Sequence, residues 1–335
     1  MFSHALEWLR PPDSDQNVDF LVWHGLAGWW LAQLTTAGLA SQIPASVHKK
    51  LTIDRRAALA KYLLQAHAIS ELSAAFEKKD IVCAFFKGTV VREEAYAIPS
   101  LRSAGDVDVL VAPATRLKAI ECLKSLGYAQ QSEVDTSAHE VTLTRGHVDI
   151  DLHWDILRPG RTRRPLVESL LAQRVRGPTL WRLSDTDTVF MMLAHPAITK
   201  YVCSPNMGLN RVLDFALFTR TRPIDWAGVQ RRLDEAGLQT AAWCTLRWIT
   251  LLRAPDVLIP PDFLNAIAPG SIRKAYLNLW LTYDLPGRLL NRGDWLIRAA
   301  FTLPMHDRLS DAWRALRALA LSRKHARRAA PVRAR

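Results

Sequence analysis

Four cysteines in 335 residues, Cys83, Cys122, Cys203 and Cys244, stand far apart and form no CxxC pair. That spacing excludes a readable zinc or dithiol redox motif and predicts buried thiols in a reducing compartment. The first thirteen residues lack a basic region followed by an apolar run and a small-residue cleavage site, so no secretory signal is read and the expected location is cytoplasmic. Formal charge is missing from Phe20 to Val47, nearly the length of a membrane span. His24, Gln33, Thr35, Thr36, Gln42 and Pro44 interrupt that stretch, which is too polar for hydrocarbon; a buried helix and no transmembrane segment are expected. Acids are missing from the last fifteen residues, where Arg323, Lys324, Arg327, Arg328, Arg333 and Arg335 supply half of the net charge of +12. Residues 321–335 are expected to form a basic flexible tail able to attract polyanions through counterion release. No internal repeat or low-complexity block is present. What remains, 49% apolar and 23% charged, is the composition of an ordinary folding chain long enough for two or three domains.

Periodicity divides the chain. Residues 1–79 read as helical, with Leu59, Leu63, Ala66, Ile69 and Leu72 at helical spacing between Arg56 and Phe76. Ile81–Phe86 is a short apolar run fit for a buried strand, and it ends at Gly88. Asp106–Val111 alternates as D-V-D-V-L-V, a half-buried strand closed by Pro113. A helix fits Ala114–Leu126, with Leu117, Ile120, Leu123 and Leu126 on one face and Gly127 past its end. Glu140–Thr144 and His147–Trp154 flank Arg145-Gly146 as the arms of a hairpin. From Pro165 onward helical signals take over: Ser184 and Asp187 match a capping box before Val189–Ala194, and Leu209–Thr219, Trp226–Ala236 and Thr240–Leu252 follow. Among twelve tryptophans, Trp226, Trp243, Trp248, Trp280 and Trp295 are expected to pack this region. The expected class is α+β: a small mixed sheet at 80–160, an N-terminal helical segment at 1–79 and a helical domain at 161–320.

The chemistry sits on the strands. Asp106 and Asp108 point to one face of theirs, about 6.6 Å apart along it. Carboxylates that close repel unless a proton or cation relieves them, and a hard divalent ion is the usual solution. The segment with Asp149 and Asp151 repeats the device, the acids and His153 on one side and Val148, Ile150 and Leu152 on the other. Three acids from two strands can bind two magnesium ions, which hold a triphosphate, activate a hydroxyl and stabilise departing pyrophosphate. The Lys87-Gly88-Thr89 turn lets backbone N–H groups approach phosphate oxygens, and Lys87 and Arg102 either neutralise phosphate charge or form ion pairs. A structural role is expected for His153, a core position for Trp154, and capping or packing for His195.

The segments F-F-K-G-T at 85–89, L-R-S-A-G-D-V-D-V-L-V at 101–111 and D-I-D-L-H-W at 149–154 resemble the polymerase-beta-like nucleotidyltransferases, within them a bacterial group of uncharacterised nucleotidyltransferases. The resemblance continues through L-S-D-T-D at 183–187, Ala194-His195, R-V-L-D-F-A at 211–216 and Asp225-Trp226, spanning Arg55 to Pro255. It implies a catalytic core at 80–160 and an acceptor-binding helical domain at 161–320. Gly88 and Thr89, with threonine where serine or glycine is more usual, would cradle phosphates beside Lys87 and Arg102. Asp106 and Asp108 would ligate magnesium, and Asp151 would be the third acid, with Asp149 as the alternate. The implied reaction is attack by an acceptor oxygen on the α-phosphorus of a nucleoside triphosphate, with two magnesium ions as cofactors. Members of the group often neighbour genes for peptide natural products or surface polysaccharides, so a peptide, sugar or small-molecule acceptor is expected ahead of nucleic acid. The alternative is a degenerate nucleotide-binding protein, or a nucleic-acid-binding protein that uses the basic tail.

Overall fold

A computed structural model of the chain describes residues 14–131, 138–202, 208–252, 259–289 and 295–329, with Glu7 and Val257. The charge-free N-terminal stretch falls on helices α1 (Ser14–Trp23) and α2 (Ala27–Thr36), which precede the long α3 (Ala45–Lys78). Glycines at φ +66° (Gly25) and +71° (Gly38) break it, a backbone conformation open mainly to glycine. Val18, Leu21, Leu31 and Leu34 pack on Val47 and Leu51 of α3. Among the described residues, no helix is long and apolar enough to cross a membrane.

The buried stripe of α3 differs from the expected one. Gln65, Ala68, Ile69, Leu72 and Phe76 are buried, whereas Leu59 and Leu63 are 44% and 58% exposed. The first turns of α3 face α1 and α2 and the last turns face the sheet, so these two leucines fall on the outward side. Helical spacing identifies a possible contact face; only tertiary partners decide whether it is covered.

Seven strands form one mixed sheet in the order β3-β4-β5-β2-β1-β7-β6. In chain order its elements are β1 (Cys83–Phe85), α4 (Gly88–Ala95), β2 (Val107–Val111), α5 (Arg116–Ser125), β3 (Ala129–Gln130), β4 (Glu140–Arg145), β5 (Val148–His153), α6 (Val167–Ala172), β6 (Val175–Arg176) and β7 (Trp181–Arg182). β2 runs parallel to β5 and antiparallel to β1, and β4–β5 is the expected hairpin, turning at Gly146 with φ +59°. The two-residue strands β3, β6 and β7 are too short to show alternation, and β6–β7 carries the sheet to Arg182, past the expected core boundary at 160.

One face of the sheet is wholly apolar: Phe85, Val107, Val109, Ile150 and Leu152 pack on Ile69, Leu72 and Phe76 of α3 and on Ile120 and Leu123 of α5. Leu117, expected on that face of α5, is 65% exposed, and Ala119 and Cys122 lie buried beside Ile120 and Leu123. Trp154 joins this core, as do Cys83 and Cys122; Cys244 is buried elsewhere, and Cys203 lies outside the described residues.

The opposite face is divided. Ala84, Phe86 and Leu110 meet the core of the C-terminal helices α7 (Asp185–Thr199), α8 (Asn210–Arg220), α9 (Trp226–Ala236) and α10 (Gln239–Leu251). The remainder of that face carries carboxylates, hydroxyls and His153, which apolar helices cannot cover without stranding charge. A cleft results. Ser184 caps α7 as expected: its Oγ accepts from the Asp187 N–H at 3.1 Å and donates to the Asp187 carboxylate at 2.9 Å. Trp243, Trp248 and Trp280 are buried, Trp226 is half-buried against Phe263, and Trp295, expected in the core, is 42% exposed.

The last helix, α15 (Leu309–Ala329), follows α11 (Pro261–Ala266), α12 (Ser271–Thr282), α13 (Leu285–Leu289) and α14 (Trp295–Thr302). It continues through the first part of the segment expected as a flexible tail. The side chains from Ser322 onward and residues 330–335, which hold the basic run, lie outside the described residues.

His306 sits at the base of α15 among Arg161, Arg273, Arg314 and Asp311, and burial together with the nearby cations pushes its pKa down to about 4. His306 therefore binds fewer protons folded than unfolded between pH 4 and its ordinary value near 6.5, so stability must fall as pH drops through that window. His306→Gln removes this dependence. Thermal melts from pH 7 to pH 4.5 should show a smaller loss for the variant, by up to about 3 kcal/mol; parallel curves would contradict the assignment.

Candidate active site

The turn after β1 is built around a strained lysine and a crowded glycine. Lys87 has φ +54° and ψ −137°, a region that L-residues rarely occupy and that costs about 1–3 kcal/mol. Its Nζ stands 2.7 Å from Asp108 Oδ1 and 4.9 Å from the centre of the Phe86 ring, so the strained backbone delivers the ammonium onto a carboxylate. Gly88 opens α4 directly under the Arg102 guanidinium: a Cβ there would meet Arg102 Cζ at 2.8 Å. Arg102 cannot retreat. Its Nη2 donates to Asp214 Oδ2 at 2.8 Å and its Nε to the same oxygen at 3.2 Å, while the Tyr96 hydroxyl donates to Asp214 Oδ1 at 2.8 Å. Burial disfavours the charge on Arg102, but Asp214 outweighs that effect and holds its pKa above the ordinary arginine value.

Gly88→Ala should therefore displace Arg102 or the start of α4. The expected result is an apparent triphosphate affinity at least tenfold weaker, with a stability loss of about 1–3 kcal/mol. Titration of a fluorescent nucleotide beside a thermal melt reads both, and unchanged affinity would mean that Arg102 has no part in binding.

The carboxylates come together through strand register. Asp108 on β2 lies opposite Asp151 on β5, and Leu110 lies opposite His153, so all four share one face. Ligand atoms of Asp108, Asp151 and His153 fall within 4.8 Å of one another. Asp106 stands beside Asp108 and Asp151, and burial, then the charges of those two carboxylates, push its pKa up to about 6. Asp108 behaves oppositely. Burial would raise its pKa, yet Lys87 and His153, whose Nε2 is 2.9 Å from Asp108 Oδ1, hold it well below the usual range. His153 Nδ1 in turn lies 3.0 Å from Glu140 Oε2, and the two carboxylates raise the His153 pKa despite burial. A row of alternating charge thus runs Lys87, Asp108, His153, Glu140.

The neighbouring strand separates the two candidates for the third acid. Thr142 donates to Asp151 at 2.7 Å and Thr144 to Asp149 at 2.6 Å. Asp151 lines a cavity of about 430 Å³ together with Lys87, Gly88, Arg102, Asp106 and Asp108, and Asp149 is not among its lining residues.

The sequence model of a family described as uncharacterised nucleotidyltransferase matches residues 10–253. The chain belongs to this family. No match is found among curated proteins. A similar solved structure is that of the antibiotic-resistance factor ANT(2'')-Ia, at 12% identity and a TM-score of 0.38, covering 57% of this chain and 96% of that one.

In this nucleotidyltransferase the structure brings Lys87, Gly88, Arg102, Asp106, Asp108 and Asp151 to one cavity and leaves Thr89 behind it. Thr89 is fully buried, its Oγ1 without a hydrogen-bond partner among the described residues, and it is not a lining residue. Several lining residues carried no expected role: His139, Glu140, Arg158, Arg161, Lys200 and Arg211, to which Asp214 adds the anchor of Arg102. His195, expected to cap or pack, lines the wall at 8% exposure, and burial and Lys87 push its pKa well down. A signal existed for Arg211 and Asp214, which stand three apart on α8 within R-V-L-D-F-A and so share a helix face. Arg158 and Arg161 repeat that interval in the loop after β5, where no periodic element marks a face.

Proposed function

We propose that this cavity binds a nucleoside triphosphate, ATP among the candidates, with divalent cations, and transfers the nucleoside monophosphate to an acceptor hydroxyl with release of pyrophosphate. One observation carries the reading: the parallel β2–β5 register that sets Asp108 opposite Asp151, with Asp106 as their charge neighbour. The residues fit a hard divalent ion such as magnesium. Three carboxylate oxygens suit such an ion, Asp106 resists ionising without a cation, and the Lys87 ammonium lies against Asp108 in the manner of a cation surrogate. Asp106, Asp108 and Asp151 would hold two such ions, which when bound would neutralise the triphosphate charge and acidify the attacking hydroxyl.

The chain's own groups do the rest. Asp151, steadied by the Thr142 hydroxyl, accepts the acceptor's proton. Arg102, fixed by Asp214, and the N-terminus of α4 at Gly88 face the phosphates, the helix end adding its positive dipole. Lys87 exchanges Asp108 for a phosphate oxygen when triphosphate enters. Thr89 supports the turn from behind. The helical region supplies the cavity's second wall through Lys200 and Arg211 and shapes the place of a peptide, sugar or other small acceptor in the cytoplasm. With Asp108 and Asp151 in register and Asp106 beside them, turnover is favoured over binding alone.

Candidate acceptors incubated with each triphosphate and magnesium should gain the mass of a nucleoside monophosphate less water, with equimolar pyrophosphate. Triphosphate cleavage at the β–γ bond, leaving a nucleoside diphosphate, would overturn the reading.

A further inference from the structure

Two groups of cations line the cavity, on opposite sides of the carboxylates. Arg102 and Arg211 are charge neighbours at the Gly88 end, where the triphosphate is placed. Arg158 and Arg161 stand at the other end, in the loop that follows β5: Arg158 is a charge neighbour of His139, beside the start of β4, and Arg161 is one of Arg158 and Tyr201. The Arg161 N–H donates to the Arg158 carbonyl at 3.2 Å, a turn that keeps the pair together. Arg161 Nη1 is buried and has no hydrogen-bond partner among the described residues. Burial lowers the Arg161 pKa, Tyr201 opposes that and Arg158 adds to it, so this half-buried guanidinium stands beside a like charge with its Nη1 unsatisfied. Such an arrangement is unfavourable until an anion arrives.

Order across the sheet gives that anion its place. Gly88 and Arg102 lie at the β1 end, Asp108 on β2 with Asp106 just before it, Asp151 on β5, and His139 and Arg158 at the β4 end. The base Asp151 therefore separates the phosphate end from Arg158 and Arg161. We propose that Arg158 and Arg161 form an anion-binding subsite for the acceptor, and that the acceptor carries a phosphate or carboxylate group near its attacking hydroxyl. The inference rests on the nucleotidyltransferase reading and narrows it: a polycationic acceptor is disfavoured. In the step, the acceptor O–H gives its proton to Asp151, the oxygen bonds the α-phosphorus, and the bond from that phosphorus to the bridging oxygen breaks with its electron pair leaving on pyrophosphate. The acceptor's own anion takes no part in bond making and stays on the two arginines.

The test uses the full chain loaded with magnesium and an α,β-methylene triphosphate that cannot be turned over. Inorganic phosphate and acetate are then titrated calorimetrically into wild type, Arg158→Gln and Arg161→Gln, each checked by thermal melt. At least one anion should bind the loaded wild type, and the tighter of the two identifies the acceptor's group. Each variant should weaken that binding at least tenfold while keeping triphosphate affinity within twofold. No anion binding to the loaded protein, or equal binding in the variants, overturns the proposal. Failure of the triphosphate analogue to bind wild type overturns the underlying reading instead, a separate outcome. Arg158 is exposed, so its variant keeps the test valid if Arg161→Gln does not fold.

Discussion

Asp108→Asn and Asp106→Asn are both expected to abolish nucleotidyl transfer, by at least about 10³-fold, yet to move the stability of the metal-free protein in opposite directions. The loss of activity follows from the proposed function, in which each variant removes a metal ligand from a site whose charge stabilisation amounts to several kcal/mol. Stability divides because the two carboxylates live in opposite fields. Asp108 is anionic between Lys87 and His153, so the asparagine leaves two cations facing each other; the cost is on the order of 2–3 kcal/mol. Asp106 is pushed up to about 6 by burial and by Asp108 and Asp151. A group with a raised folded pKa binds extra protons when folded, so its ionisation costs stability as pH rises from about 4 to 6, and the full cost persists at pH 7. Asp106→Asn removes that cost and should stabilise the metal-free protein by about 1–3 kcal/mol at pH 7.5, with the advantage shrinking toward pH 4. Saturating magnesium should raise the melting temperature of wild type and of neither variant. If Asp106→Asn destabilises the metal-free protein at neutral pH, the three aspartates do not crowd one another in solution.

Legibility in the sequence followed the length of each physical signal. β2 and β5 are visible because five or six residues alternate, and alternation alone sets Asp106 and Asp108 on one side of the first and Asp149, Asp151 and His153 on one side of the second, without showing that the two sides coincide. Register was not visible: that Asp108 faces Asp151 while Asp149 lies off the cavity depends on how two distant strands align, and both acids alternate equally well. Leu59 and Leu117 show the same limit for helices, since spacing marks a face and the partner alone covers it. The family resemblance implies a phosphate contact for Thr89, the hydroxyl residue after the glycine of the turn. The helical start of α4 instead turns its side chain into the protein, while Gly88 and Arg102 remain at the surface of the cavity. The cationic wall was hidden because Arg158, Lys200 and Arg211 come from segments with no common periodicity, gathered only when α7 and α8 close over the sheet.

The second large effect is expected behind the cavity wall, at Asp214. This acid is 4% exposed and is the ion-pair partner of Arg102, itself 8% exposed, and it also receives the Tyr96 hydroxyl. Asp214→Ala strands a buried guanidinium and a buried phenol, so a loss of about 3–5 kcal/mol is expected, near the whole margin of many proteins. The variant should also bind triphosphate at least tenfold more weakly, because the guanidinium over Gly88 loses its fixed orientation. Stability and binding can be separated. The triple variant Tyr96→Phe, Arg102→Met, Asp214→Leu replaces the polar group with apolar side chains of similar bulk and should recover most of the lost stability, since buried pairs often exchange for packed hydrocarbon at little net cost. Triphosphate affinity should stay as weak as in Asp214→Ala. If affinity returns with stability, Arg102 is a structural cation whose only task is to join α8 to the loop before β2. If affinity stays lost in a well-folded triple variant, the buried pair exists to aim one guanidinium at the nucleotide.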